Sequence, residues 1–480
     1  MGWWPLSSRQ LREAWNTLLG VIQCLQGRVG SLEEQIKELQ RRNQELSGRL
    51  AQTSQNSHRP PGSDGLTKPP SKSLRCKSRR RPGGQPGHVG RTLLPVPSPE
   101  HIQVHSVGGC VCGASAAVLA GAPVLDYTAR QVFELPPIRL EVTEHRAETK
   151  RCPCCGRLVE AAFPAEVTAP AQYGPRVRSL LLYFHHQQLV PPQRVCQICE
   201  DLLGQPCSPA TVLATAQRTG ENLTGFEQHV ARGLQVAELL HRDESGLRVA
   251  GKLHWLHVAS TTQLTLYWVH PKRGKEGIGL VSPKPEQWWV HDCWGPYFTF
   301  DCLHALCNEH LLRELKFLEE EQGQRWAGRL SGFLLACRRR VQRQGTLGER
   351  AFKKVLARYR EILRAGRRQH PRPAAGPGRT KQSKAANLLD RLESFAGGVL
   401  AFTIFEEVPF TNNQAEQDVR MLKIQQKISG CFRTLAGAQV FARIRSYLST
   451  CRKQGRNLWE ALQRAVQGRP FMPAVPALGP

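Results

Sequence analysis

Residues 239–260, LLHRDESGLRVAGKLHWLHVAS, decide how the chain is read. An apolar run ends in Asp243 and Glu244. A Gly-containing turn follows, and a second apolar run alternates through Leu253, Trp255, His257 and Ala259. Removing a carboxylate from water is costly unless a cation, a proton or a hydrogen-bond partner compensates. Two carboxylates where a buried strand opens into a loop therefore mark either a solvated turn or a cation site.

The neighbouring runs favour the cation site. ELLHRDES (238–245), KLHWLHVAS (252–260) and LTLYWVHPKR (264–273) follow one another through short turns, which predicts an antiparallel meander. A fourth apolar run, QWWVHDCWGPY (287–297), delivers Asp292 at its end, and helical periodicity resumes through HALCNEHLLRELKFLEEE (304–321). A meander, then a strand and a helix, with Asp on the first and fourth strands, is the order of an RNase H-like fold. Its two aspartates meet at the centre of the sheet and can bridge a divalent cation. A two-metal phosphodiester enzyme needs a third carboxylate. VPFTNNQAEQDVRMLKIQQKISGCFRT (408–434) offers Glu416 one turn into a helix capped by Thr411 or Asn412, with Arg420 at i+4. Hard oxygen ligands suit two Mg²⁺. Glu244 and Asp418 are rival carboxylates that chemistry alone leaves open. His304, Cys307 and His310 are spaced by three and are expected on one helix. That spacing drifts round a helix, so a structural or substrate-orienting role is expected of them.

Composition sets the wider frame. The 480 residues suffice for two or three domains. Lys+Arg number 66 against 39 Asp+Glu, a net charge of +27 with a pI near 9.9, which points to a polyanionic partner, nucleic acid before membrane. No apolar run has the ~18 residues of a membrane span, and the N-terminus does not read as a secretion signal. Leu18, Ile22, Leu25, Val29, Leu32, Ile36, Leu39, Asn43, Leu46 and Leu50 form a heptad seam with β-branched residues at a, Leu at d and one Asn at a. That pattern predicts a parallel homodimer. Residues 52–100 are rich in Pro, Gly and Ser, and no acidic residue lies between Thr67 and Arg91. They read as a disordered basic linker in which Arg79, Arg80 and Arg81 neutralise phosphate. Cys110-Val111-Cys112-Gly113 and Cys152-Pro153-Cys154-Cys155-Gly156 resemble the two knuckles of a zinc ribbon. One structural Zn²⁺ is expected at Cys110, Cys112, Cys152 and Cys155, with Cys154 as a substitute ligand, and ARQVFELP and IRLEVTEHRAETKRC as a hairpin between the pairs. A helix ending at Gly204 and another starting with Ser208 as N-cap and Pro209 at N1 have helix-turn-helix lengths.

Taken together, HRDESGLRVAGKLHWLHVAS, VHDCWGPYFTFDCLHALCNEHLLREL and FTNNQAEQDVRMLKIQQKISGCFRT resemble the three catalytic blocks of the insertion-sequence-66 family of DDE transposases. The likeness extends from about residue 18 to 465, because such proteins similarly begin with a leucine zipper, a basic linker and a cysteine-containing zinc domain. The resemblance implies a catalytic triad of Asp243, Asp292 and Glu416 holding Mg²⁺, with cleavage at the ends of a mobile element and strand transfer into target DNA. Arg420, Lys423 and Lys427 would contact that DNA. Ser245, Cys293 and Gln417 differ from the residues usual there, and the stretch from Glu276 to Gln287 is short. The alternative reading is a catalytically inactive DNA-binding derivative of such an enzyme. The expected organisation is multidomain α+β: a leucine-zipper coiled coil at 11–51, the linker at 52–100, and a zinc-binding domain at 101–160. A helical, helix-turn-helix-like domain follows at 165–232, then an RNase H-like core at 236–425 with a helical insertion at 318–400, and a C-terminal helical region at 426–470. A bacterial cytoplasmic, nucleoid-associated protein is expected, with accessory proteins of the same element as further partners.

Overall fold

The heptad segment folds as one 43-residue helix, α1 (Ser8–Leu50), in the computed structural model, which describes residues 8–50, 83, 85, 87–90, 92–372 and 382–475. The Arg79–Arg81 cluster lies outside the described residues. Leu18, Ile22, Leu25, Val29, Leu32, Ile36 and Leu39 are all exposed along α1, so the seam is open to a partner helix. By its contacts the chain divides into two units. The smaller comprises Lys72–Val167 with Ile198–Pro206, and the larger contains α1 and the rest of the chain from Thr168 onward.

In the smaller unit, α2 (Ala116–Leu119) is a single turn, and β1 (Thr149–Arg151) pairs antiparallel with β2 (Leu158–Glu160). The hairpin expected between the two cysteine pairs does not form. The residues up to His145 are irregular, and Val132, Leu135 and Val142 are exposed. An alternating pattern makes a strand only against a partner strand and a face to cover it, and neither is present here. The hairpin that does form embraces the second cysteine knuckle.

The larger unit continues with α3 (Pro175–Leu182), a π-helical turn at Tyr183–Gln187, the first half of α4 (Pro192–Leu203), whose residues from Ile198 belong to the smaller unit, α5 (Pro209–Asn222) and α6 (Thr224–Gln235). Ser208 caps α5, accepting from the Thr211 N–H at 3.1 Å, with Pro209 at N1 as expected. The meander follows as β3 (Leu239–Val249), β4 (Lys252–Ser260) and β5 (Thr265–His270). Next come α7 (Lys275–Ile278), β6 (Trp288–His291), a 3₁₀ turn at Gly295–Thr299, and β7 (Leu303–Leu306). The helices α8 (Asn308–Gln322), α9 (Arg325–Gln344), α10 (Glu349–Gln369), α11 (Lys384–Ser394) and α12 (Ala396–Leu400) occupy the region read as an insertion. The chain then forms α13 (Asn413–Ser429), α14 (Leu435–Lys453) and α15 (Leu458–Val466).

The five strands make one mixed sheet in the order β5-β4-β3-β6-β7. β3, β4 and β5 are antiparallel neighbours, whereas β6 runs parallel to β3 and β7 parallel to β6. Strand alternation splits the apolar residues between two faces. Leu247, Val249, Val258 and Tyr267 pack with Ala415, Val419 and Leu422 of α13, and Val290, Ala305 and Leu306 pack with α8–α12. Leu240, Ala259, Leu266, Trp268 and Trp289 share a core with Phe226, Val230 and Leu234 of α6 and Ile444, Tyr447 and Leu462 of α14 and α15. The helices α6, α14 and α15 therefore close the same core as the sheet. The architecture is mixed α/β, and no helix among the described residues is long and apolar enough to cross a membrane.

Candidate active site

The register of the sheet brings Asp243 and Asp292 together. His241 of β3 pairs with Val290 of β6, and two more residues along each parallel strand give Asp243 and Asp292. Parallel neighbours lie roughly 4.8 Å apart with partner side chains on one face. Asp243 shares its face with Leu247 and Val249, the face covered by α13. Its carboxyl is pushed well above the usual range, first by burial and then by repulsion from Glu244, Asp292 and Glu416. Asp243 Oδ1 accepts from the Glu244 N–H at 2.9 Å, and Asp292 Oδ1 from the Trp294 N–H at 2.9 Å.

The third carboxylate arrives on α13. Asn412 stands at its N-cap position but makes no side-chain capping bond. Instead its Oδ1 meets His241 Nδ1 at 2.8 Å and its Nδ2 donates to the Arg242 carbonyl at 2.7 Å. Asn412 is buried, so this pair of bonds braces the start of α13 against β3 two residues before Asp243. At ~100° per residue, Glu416, Arg420, Lys423 and Lys427 fall within a sector of about 60° on α13. Arg420, Lys423 and Lys427 are exposed, which makes a cationic stripe leading away from the carboxylates. Lys423 Nζ reaches the Gly246 carbonyl at 3.4 Å and feels the charge of Asp243.

The two rival carboxylates are engaged elsewhere. Glu244 projects to the opposite face of β3, where Arg273 holds its Oε1 at 2.6 Å and the Tyr297 hydroxyl donates to its Oε2. Arg273 is itself stacked between Trp255 and Trp294, at 4.9 and 3.9 Å from the ring centres. Beside it, the buried Arg242 lies 4.0 Å over Trp289 and donates to the Ile278 carbonyl at 2.7 Å. Asp418 lies on the far side of α13, paired with Lys453 at 2.8 Å.

His304, Cys307 and His310 do not share a helix, contrary to expectation. His304 is on β7, Cys307 is the N-cap of α8, and His310 is in the first turn of that helix. The backbone turns from strand to helix between the first two, so helical drift does not describe the trio. His304 Nδ1 is bonded to His291 Nε2 at 2.9 Å, a structural pairing. Cys307 and His310 instead border Glu416, with Cys307 Sγ 3.8 Å and His310 Nδ1 3.9 Å from its Oε1. Sequence reasoning missed this convergence, together with Asn412 as a brace and Arg273 and Tyr297 as the holders of Glu244. Of the departures from the resembled pattern, Ser245 is buried in β3, Cys293 packs against the helical core, and Gln417 is exposed.

Each cysteine pair lies in a turn closed by its glycine. Gly113 and Gly156 adopt φ of +95° and +75°, which only glycine enters freely. Their N–H groups return to the Cys110 and Cys152 carbonyls, each at 2.9 Å. Hydrogen bonds from Cys112 lower the Cys110 thiol pKa, and those from Cys155 and Cys154 lower that of Cys152. Thiols whose thiolates are favoured in this way suit zinc. Among the described residues the two knuckles do not converge into one cluster of ligand atoms.

Residues 170–440 match the family model of the Transposase IS66 family. The chain belongs to that family. Residues 110–156 match the zinc-finger binding domain of transposase IS66, so the cysteine-bearing segment is a zinc-finger domain of this family. Residues 6–93 match a family of unknown function. No curated protein matched the chain. A transposase acts on DNA, which accounts for the net charge of +27.

Proposed function

We propose that this IS66-family transposase cleaves DNA at the ends of its own element and joins the freed 3′-hydroxyls to target DNA, with Asp243, Asp292 and Glu416 as the catalytic carboxylates. One observation carries the reading. The parallel register of β3 and β6 brings Asp243 beside Asp292, and Glu416 on α13 faces them, while Glu244 and Asp418 are already neutralised by Arg273 and Lys453. The β5-β4-β3-β6-β7 order, with three antiparallel strands followed by two parallel ones, supports an RNase H-like core around this site.

Asp243, Asp292 and Glu416 would hold Mg²⁺, an assignment supported by the all-oxygen donor set and by the burial of Asp243 close to other carboxylates, which raises its pKa. When bound, a Mg²⁺ pair lowers the pKa of the attacking water or 3′-hydroxyl and neutralises the leaving oxygen. The chain's own contribution is positioning. Asn412 fixes the entry of α13, Arg420, Lys423 and Lys427 receive the phosphates on either side of the scissile one, and Arg273 keeps Glu244 out of the donor set. Cys110, Cys112, Cys152 and Cys155 would hold one structural Zn²⁺ once the two knuckles close on it. The exposed α1 seam would dimerise the protein and so help synapse two element ends.

A cleavage assay on labelled DNA carrying the element's ends, in Mg²⁺ or EDTA, tests the reading. Mg²⁺-dependent nicking that disappears in Asp243→Ala, Asp292→Ala and Glu416→Ala is expected. A folded wild-type protein that binds those ends without nicking them would overturn the catalytic reading in favour of a silent DNA-binding derivative.

A further inference from the structure

Cys307, His310 and Glu416 each offer one ligand atom, and the three atoms lie within 4.8 Å of one another. Cys307 comes from the β7–α8 junction, His310 from the first turn of α8, and Glu416 from α13, so the cluster joins two helices at the edge of the carboxylate site. The distances are informative. At 3.9 Å, His310 Nδ1 and Glu416 Oε1 are too far apart for a hydrogen bond. Ligands placed 2.0–2.3 Å from a tetrahedral ion lie about 3.3–3.7 Å from one another. The 3.9 Å N···O and 3.8 Å S···O separations are within a few tenths of an ångström of that edge.

The surroundings are also those of a ligand set. Burial and the neighbouring Glu416 push the Cys307 thiol up to about 12, so a cation in the site is what would favour its thiolate. The Asn412 backbone N–H, which donates to Cys307 Sγ at 3.2 Å, would then support it. The thiol is buried, whereas the His310 and Glu416 side chains are 20% and 18% exposed, which leaves a way in for an ion. Sulfur, imidazole and carboxylate together select a borderline ion over Mg²⁺.

We infer that Cys307, His310 and Glu416 form a second zinc site, separate from the zinc-finger domain, which holds Glu416 by its Oε1 and leaves its Oε2 to the carboxylate cluster. Binding replaces the Cys307 thiol proton, which passes to solvent, and leaves a fourth coordination position for water. The inference shares Glu416 with the catalytic reading but does not need nicking to be observed.

The test is a metal count on the full-length protein after equilibration with Zn²⁺ and dialysis, with folding checked by circular dichroism. Cys307→Ser and His310→Ala should each hold one zinc fewer per chain than wild type, and Cys152→Ser should lose a different one, so that Cys152→Ser with Cys307→Ser loses both. With Co²⁺ in place of zinc, the wild type minus Cys307→Ser difference spectrum should contain a sulfur-to-cobalt charge-transfer band. Equal zinc content and superimposable cobalt spectra in folded wild type, Cys307→Ser and His310→Ala would overturn the site and leave Cys307 as a hydrogen-bond donor to Glu416. Failure of the catalytic reading would appear separately, as absent Mg²⁺-dependent nicking with the zinc count intact.

Discussion

Asp418 and Glu416 sit two residues apart on one helix and carry the same charge, yet their surroundings give them opposite work. Asp418 is nearly buried against Lys453, and Gln414 donates to it at 3.2 Å. Burial lowers the Lys453 pKa and the carboxylate raises it, so each ion depends on the other. Removing one partner of such a pair leaves the other charge uncompensated, at a cost of about 3 kcal/mol. Asp418→Asn is therefore expected to lower stability by that amount in chemical denaturation while the folded fraction still nicks DNA. Loss of nicking with unchanged stability would return Asp418 to the candidate site. Glu244 and Asp418 were readable as rivals in the sequence because each is a carboxylate within two residues of a candidate ligand, Asp243 or Glu416. The partners that remove them are 29 and 35 residues away and leave no local trace.

At the level of elements, β5 is an edge strand of the sheet, and α14 covers it. Ser446 Oγ accepts from the Tyr267 N–H at 2.8 Å, and Thr450 Oγ1 accepts from the Thr265 N–H at 3.0 Å. Helix hydroxyls thus take the place of the missing strand, which protects the edge from pairing with another chain. Ser446 and Thr450 are fully buried, so Ser446→Ala strands an N–H where water cannot reach it. A loss of about 1–3 kcal/mol in unfolding free energy is expected. The meander itself was legible from alternation and short turns. The α14 cover was not, because Ser and Thr inside a helix carry no signal for where their hydroxyls point.

Across the whole molecule, two properties follow from arrangement. The exposed α1 seam should make the protein a dimer, and charges at d positions should abolish that. Leu25→Glu with Leu32→Glu should sediment as a monomer, whereas unchanged sedimentation would show that α1 is not the interface. The second property is acid sensitivity. Burial pushes the His257 imidazole down to about 4 and His291 to about 3, below the ordinary value of 6.5. The unfolded chain takes up protons below pH 6.5 while these folded imidazoles refuse them. Their contribution is thus intact above pH 6.5 and drains as pH falls towards 4 for His257, at roughly 1.4 kcal/mol per pH unit each. Asp243 and Glu244 are displaced upwards and act in the opposite sense, so the comparison has to be made within one variant. His257→Gln, which keeps a donor near the Lys272 carbonyl, should show a smaller fall in Tm between pH 7 and pH 5 than wild type.

The helical seam, the cysteine-glycine turns and the meander were written in the sequence, as were five candidate carboxylates, Asp243, Glu244, Asp292, Glu416 and Asp418, among which it left the choice open. Each of these is written in periodicity, in turn residues or in short spacing, which act over a few residues of backbone. Only the tertiary structure decided which carboxylates pair with a cationic side chain, which residue braces α13, and where Cys307 and His310 stand. Those outcomes depend on pairings such as His241 with Asn412, 171 residues apart. Side chains that meet only after the chain has closed its core follow from three-dimensional packing, which no local pattern encodes.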